Sequence, residues 1–189
     1  MKVSFFNIKL PLILIVAILL SLNSCSKDGS FNLFSLEDDI TLGKQLADEI
    51  ANNPNEFPVL SESQYPEAYT YMLDMVNEIL NSGEVTHRND FAWEFKIIEN
   101  DTVLNAFCAP GGYIYVYTGL IKFLDSASHL AGVLGHEIAH ADKRHTAEQL
   151  TKLYTVDLLI DVATQDTSSN STIVEIAKNL AFLKFSRSN

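Results

Sequence analysis

Apolar residues Ile40, Leu42, Leu46 and Ile50 fall on one face at helical spacing and predict a first helix over 37–53, ended by Asn52-Asn53-Pro54. After a connector over 58–66, residues Tyr69, Met72, Leu73, Val76, Ile79 and Leu80 predict a second amphipathic helix. Ser82-Gly83 closes it, with glycine just past the last periodic position. The period then changes. Residues 91–97 (Phe-Ala-Trp-Glu-Phe-Lys-Ile) alternate apolar and polar positions, as a half-buried strand does, and 103–108 reads as a second short strand. Pro110-Gly111-Gly112 makes a turn, and 113–118 is a third strand rich in aromatic and β-branched residues. Helical spacing returns through Leu120, Ile121 and Leu124. Asp125-Ser126 offers caps for a helix beginning near Ala127. The helical pattern persists to about Ala163, too long for one straight helix in a small domain, so a break is expected near 150–155. A polar loop over 164–171 and a last helix over 172–185 complete the chain. The expected class is α+β, mostly helical, with a small three-stranded sheet preceding the helix that starts near 127.

The N-terminal block stands apart from this pattern. Lys2 and Lys9 precede an almost wholly apolar run from Leu10 to Leu22, which is shorter than a membrane-spanning helix and resembles the core of a signal peptide. Leu22-Asn23-Ser24-Cys25 resembles a bacterial lipobox, with Cys25 as the lipidated first residue of the mature protein and Asn23 as a departure from the usual pattern. The expected organisation is a lipoprotein signal peptide over 1–24, a polar tether over 25–35, and a domain over 36–189, with an uncleaved anchor and plain secretion as the alternatives for the leader. That domain would lie on the periplasmic side of a bacterial envelope, attached to a membrane through lipid. Ser26 after Cys25 points to the outer membrane.

Charge narrows the partners. The chain carries a formal charge of −11, and losing Lys2 and Lys9 with the leader moves it to about −13. Such a surface repels phosphate backbones, so nucleic acid is not an expected partner. With Cys25 lipidated, Cys108 has no disulfide partner and reads as a small buried hydrophobe between Phe107 and Ala109.

Candidate chemistry lies in His136-Glu137-Ile138-Ala139-His140. On a helix His136 and His140 stand about 40° apart, one turn from each other, and can direct their nitrogens at one ion. Neutral imidazole suits Zn2+. Glu137 would be the catalytic residue, drawing a proton from an attacking water and passing it to the leaving amine. A catalytic zinc needs a third protein ligand. On a continuous helix His145 would point about 180° from His136, and Glu148 about 120°. Neither therefore reads as that ligand, and His145 is expected to fix the helix or line the cleft. Glu175, and less so Asp157 and Asp161, remain candidates for the third position.

These residues also carry a family resemblance. Asn105-Ala106-Phe107, Pro110-Gly111-Gly112-Tyr113-Ile114, Thr118-Gly119-Leu120, the run from Leu130 through His140, and Arg144-His145 together resemble the zinc metallopeptidases related to the heat-shock protease HtpX and the CAAX prenyl (Ste24-type) proteases. The likeness is greatest to members built as soluble or lipid-anchored envelope domains. His129 departs from it, since an acidic residue often stands there. The resemblance implies a zincin-like domain, one Zn2+ held by His136 and His140, and hydrolysis of polypeptides, including misfolded envelope proteins, in quality control. It also implies a third ligand, a glutamate, just beyond Asn189, which would make the chain a C-terminally truncated fragment. Such enzymes hold substrate as an added strand, and Asn105, Ala106, Gly111 and Gly112 are the candidate substrate-binding residues. Gly111-Gly112 reads equally as a tight turn. The rival readings are a metal-binding but inactive scaffold or chaperone-like domain and a non-peptidase zinc hydrolase.

Overall fold

The computed structural model describes residues 32–153, which fall in a compact unit beginning at Asn32. The leader, Cys25 and most of the tether lie outside the described residues, as do Asp157, Asp161, Glu175 and the expected last helix.

Helix α1 (Leu36–Asn52) starts at a reciprocal cap. The Ser35 hydroxyl accepts from the Asp38 N–H at 3.2 Å, and the Asp38 carboxylate accepts from the Ser35 N–H at 2.8 Å. Glu37, Asp38 and Asp39 in the first turn complement the helix dipole. Helix α2 (Pro66–Leu80) begins with proline, whose missing N–H costs nothing in a first turn, and buries Tyr69, Met72, Val76 and Leu80.

Three strands follow: β1 (Glu94–Ile98), β2 (Ala106–Ala109) and β3 (Tyr113–Tyr117). They stand in the order β1-β3-β2, with β1 parallel and β2 antiparallel to the central β3. Strand alternation sends Phe95, Ile97, Ala106, Cys108, Ile114 and Val116 to one face, where they meet α2 and the later motif helix. Phe107, Ala109, Tyr113, Tyr115 and Tyr117 face the other way, onto Leu42, Leu46 and Ile50 of α1. Every residue of β3 is buried as a result. Phe107 stacks on Tyr115 with ring centroids 4.8 Å apart.

The first two strands begin later than alternation predicts. Trp93 takes a left-handed φ of 49°, so extended backbone starts only at Glu94. Before β2, the Asn100 side chain accepts from Thr102 N–H and hydroxyl, holding residues 100–102 in a turn.

Helix α3 (Thr118–Phe123) leads to α4 (Ala127–Asp142), whose Ser126 cap accepts from the His129 N–H at 3.3 Å. Leu130, Leu134, Ile138 and Ala141 form the buried stripe of α4 against β2 and α2. The structure adds a break before the one expected near 150–155, a span whose last two residues lie outside the described residues. The helix ends at Asp142, Arg144 adopts a φ of 57°, and residues 145–153 are helical again. Neither glycine nor proline marks the place. Contacts of Arg144 with α1 hold it instead.

Candidate metal centre

The stripe that buries Leu134, Ile138 and Ala141 sets the orientation of the motif residues between them. Glu137 lies beside this stripe and is 5% exposed, His140 is half-buried, and His136 faces solvent. One turn apart, the two imidazoles meet edge to face, with centroids 4.4 Å apart and planes at 88°. Their Nε2 atoms are 2.9 Å apart. Two nitrogens bound to one tetrahedral zinc at 2.0–2.1 Å are separated by about 3.3 Å. The pair therefore fits two corners of such a site after a shift of a few tenths of an ångström. Among the described residues no group of three or more histidine, cysteine, aspartate or glutamate side chains could hold a metal ion.

Glu137 lies within electrostatic reach of Cys108 on β2. Burial pushes the Cys108 thiol well above its ordinary range, and the Glu137 carboxylate adds to the effect. The thiol stays neutral and acts as packing beneath the carboxylate.

His145 does not point away. Because α4 stops at Asp142, His145 folds back onto His140, with ring centroids 4.7 Å apart and Nδ1 to Nδ1 at 2.5 Å. The contact is on the opposite edge of the His140 ring from His136, so the three rings do not converge on one point. Glu148 is turned to Lys152, which donates to it at 2.7 Å and holds its carboxyl below the usual range.

The substrate candidates separate into two groups. Asn105 immediately precedes β2; its carbonyl accepts from the Tyr117 N–H at 3.0 Å. Its side-chain Oδ1 is buried with no hydrogen-bond partner among the described residues. Ala106 opens β2 and pairs with Val116. Gly111 and Gly112 are taken up by packing. Both have positive φ, at 73° and 87°, and a Cβ would come within 3.2 Å of the Ile40 backbone at Gly111 and 3.0 Å of Trp93 at Gly112.

At the C-terminal end of α4, sequence reasoning missed Asp142 and the partners of Arg144. Asp142, 5% exposed, accepts from the His87 N–H at 2.7 Å. Arg144 donates through Nε to Asp39 of α1 at 2.5 Å. Partners 55 and 105 residues away leave no local signal.

A family model described as Peptidase family M48 matches residues 66–189. Among curated proteins, the chain is similar to mitochondrial metalloendopeptidase OMA1 of Arabidopsis thaliana, 43% identical over 67 residues, which is 35% of this chain and 14% of that protein. The protein of the same name from Schizosaccharomyces pombe is 32% identical over 104 residues, 54% of this chain and 31% of its own length. The beta-barrel assembly-enhancing protease of Escherichia coli K12 is 37% identical over 68 residues, 35% of this chain and 14% of that protein. The chain thus spans less than a third of the length of these relatives.

Proposed function

The chain belongs to peptidase family M48, and from that membership we propose that His136 and His140 are two ligands of a single catalytic Zn2+ in a metalloendopeptidase. The observation that carries the reading is the convergence of the two Nε2 atoms beside a buried glutamate. The third ligand is supplied from outside the described residues. A Zn2+ held by His136 and His140 would, when bound, supply Lewis-acid polarisation of a peptide carbonyl and a lowered pKa for the attacking water.

The chain's own residues do the rest. His136 and His140 donate their Nε2 lone pairs and fix where hydrolysis occurs. Glu137, on the same helical turn, takes the proton from the attacking water and returns it to the leaving amine nitrogen as the C–N bond breaks. Substrate lies along the edge of β2 that faces away from β3, an edge paired to no strand among the described residues, beginning at Ala106.

The substrates are polypeptides, and the setting is protein quality control in a bacterial envelope. The name of the Escherichia coli relative, a beta-barrel assembly-enhancing protease, is consistent with that setting. The apolar run before Cys25 supports a lipid anchor on the periplasmic side of the outer membrane. Within the family, the pieces from Asn105 to His145 support placement with the HtpX-like and Ste24-like envelope domains.

The test is casein turnover by the full-length product with and without a chelator. Activity lost on chelation and restored by Zn2+ is expected, and Glu137→Gln should retain zinc while cleaving at background rate. Wild-type turnover in that variant would remove Glu137 from the mechanism. Zinc binding without any turnover by the wild type would favour the scaffold reading.

A further inference from the structure

We propose that Arg144 is a positioning residue of the metal centre, acting through His145 on His140. The inference rests on the zinc reading above. It starts from a backbone conformation that a residue with a Cβ avoids. Arg144 sits at φ 57° immediately after the C-cap of α4. Its guanidinium is fixed at three acceptors near the start of α1. Nε donates to the buried carboxylate of Asp39 at 2.5 Å, and Nη2 donates to the carbonyls of Phe34 at 2.7 Å and Ser35 at 2.8 Å. A planar fork can serve all three together. A second tie lies further along the same helical segment, where the Leu33 N–H donates to the Thr151 hydroxyl at 3.0 Å.

The consequence is geometric. Had α4 continued, His145 would stand about 140° around the helix from His140, and the two rings could not meet. The left-handed residue redirects the chain, the next helical turn starts with Glu148 N–H donating to Arg144 O at 3.0 Å, and His145 comes down on His140. His140 is then held at both nitrogens, with Nε2 toward His136 and Nδ1 toward His145. A ligating imidazole needs its other nitrogen engaged to fix its tautomer and ring angle. Here Nδ1–H of His140 donates to Nδ1 of His145, a tautomer assigned from the network. The position of His145 depends in turn on the Arg144 fork. Asp39 and the capped first turn of α1 therefore brace a ligand more than 100 residues away, as the 105-residue separation of Asp39 and Arg144 requires.

The test measures zinc affinity of the full-length protein by competition with a chromophoric chelator. The variants are Arg144→Gly, His145→Gln and the double substitution. Glycine adopts positive φ without strain, so Arg144→Gly keeps the backbone path accessible and removes only the fork. Each single variant should bind zinc about ten- to a hundredfold more weakly, and the double no more weakly than the worse single. In metal-free wild type, nitrogen-15 spectra should show His140 protonated at Nδ1, and both single variants should show mixed tautomers. Circular dichroism restricts the comparison to folded protein. Zinc affinity of Arg144→Gly within twofold of wild type, or losses that multiply in the double variant, would overturn the proposal while leaving the zinc reading intact. A wild type that binds no zinc would instead sink the zinc reading, and this inference with it.

Discussion

Gly43 of α1 packs directly against the carbonyl of Pro110, so closely that a Cβ on Gly43 would stand 1.8 Å from the Pro110 oxygen. The same Cβ would meet the Tyr113 ring at 3.0 Å. This contact lets α1 lie on the turn between β2 and β3, and it brings Asp39 to Arg144. Gly43→Ala must push the helix away from backbone that cannot yield. We expect a loss of about 3 kcal/mol or more, the upper end of overpacking costs, seen as a lower urea midpoint with unchanged slope. A loss under about 1 kcal/mol would mean that α1 has room the structure does not show.

Much of this arrangement is legible in the sequence. The alternation of Tyr113, Tyr115 and Tyr117 predicts a single shared face, and these side chains do line one side of β3. Ser126 marks the start of α4, and the spacing of His136 and His140 puts both rings on one face of it. What the sequence hides is where α4 ends. Helix stops are read from glycine and proline, and here an arginine takes the left-handed position because distant acceptors hold it. From that one hidden turn follows the misjudged direction of His145, since the 180° separation assumed an unbroken helix. Trp93 hides the start of β1 in the same way. Its positive φ accompanies a hydrogen bond from its indole N–H to the His87 carbonyl at 3.1 Å, which no local pattern announces.

Alkaline stability should track the buried phenols. Burial raises the Tyr115 hydroxyl well above its usual range, and it also raises Tyr69, Tyr113, Tyr117 and the Cys108 thiol. In the unfolded chain these groups release protons from about pH 9 to 10, while the folded chain keeps them. The unfolded state then binds fewer protons, so stability falls as pH rises through that range. Tyr115→Phe removes one such group. Its urea midpoint relative to wild type should be more favourable at pH 11 than at pH 7, and an equal difference at both would show that Tyr115 is not the group responsible.

Gly132 on α4 behaves oppositely to Gly43. Apart from its chain neighbours and the backbone of its own helix, no described atom lies within 4 Å of where its Cβ would be. An exposed glycine inside a helix costs roughly 0.5–1 kcal/mol relative to alanine. Gly132→Ala should therefore raise the melting temperature of the full-length protein by a few degrees. A lower melting temperature would show that a segment outside the described residues rests on this face of α4.

The edge of β2 away from β3 gives the sharpest test of how substrate is held. The Tyr117 N–H bonds to the Asn105 carbonyl, so residues 105, 107 and 109 face their β3 partners through ladder hydrogen bonds. Ala106 and Cys108 then turn their N–H and C=O groups outward, away from β3. A peptide laid along this edge would pair with those groups. Ala106→Pro removes one outward N–H and leaves the ladder to β3 whole, whereas Phe107→Pro breaks the ladder itself. With a peptide substrate, Ala106→Pro should raise KM about tenfold, equivalent to one lost hydrogen bond of roughly 1.4 kcal/mol, with zinc affinity within twofold of wild type. Phe107→Pro should instead lower the unfolding midpoint. If Ala106→Pro left KM unchanged in a folded, zinc-bound protein, substrate would have to be held somewhere other than this edge.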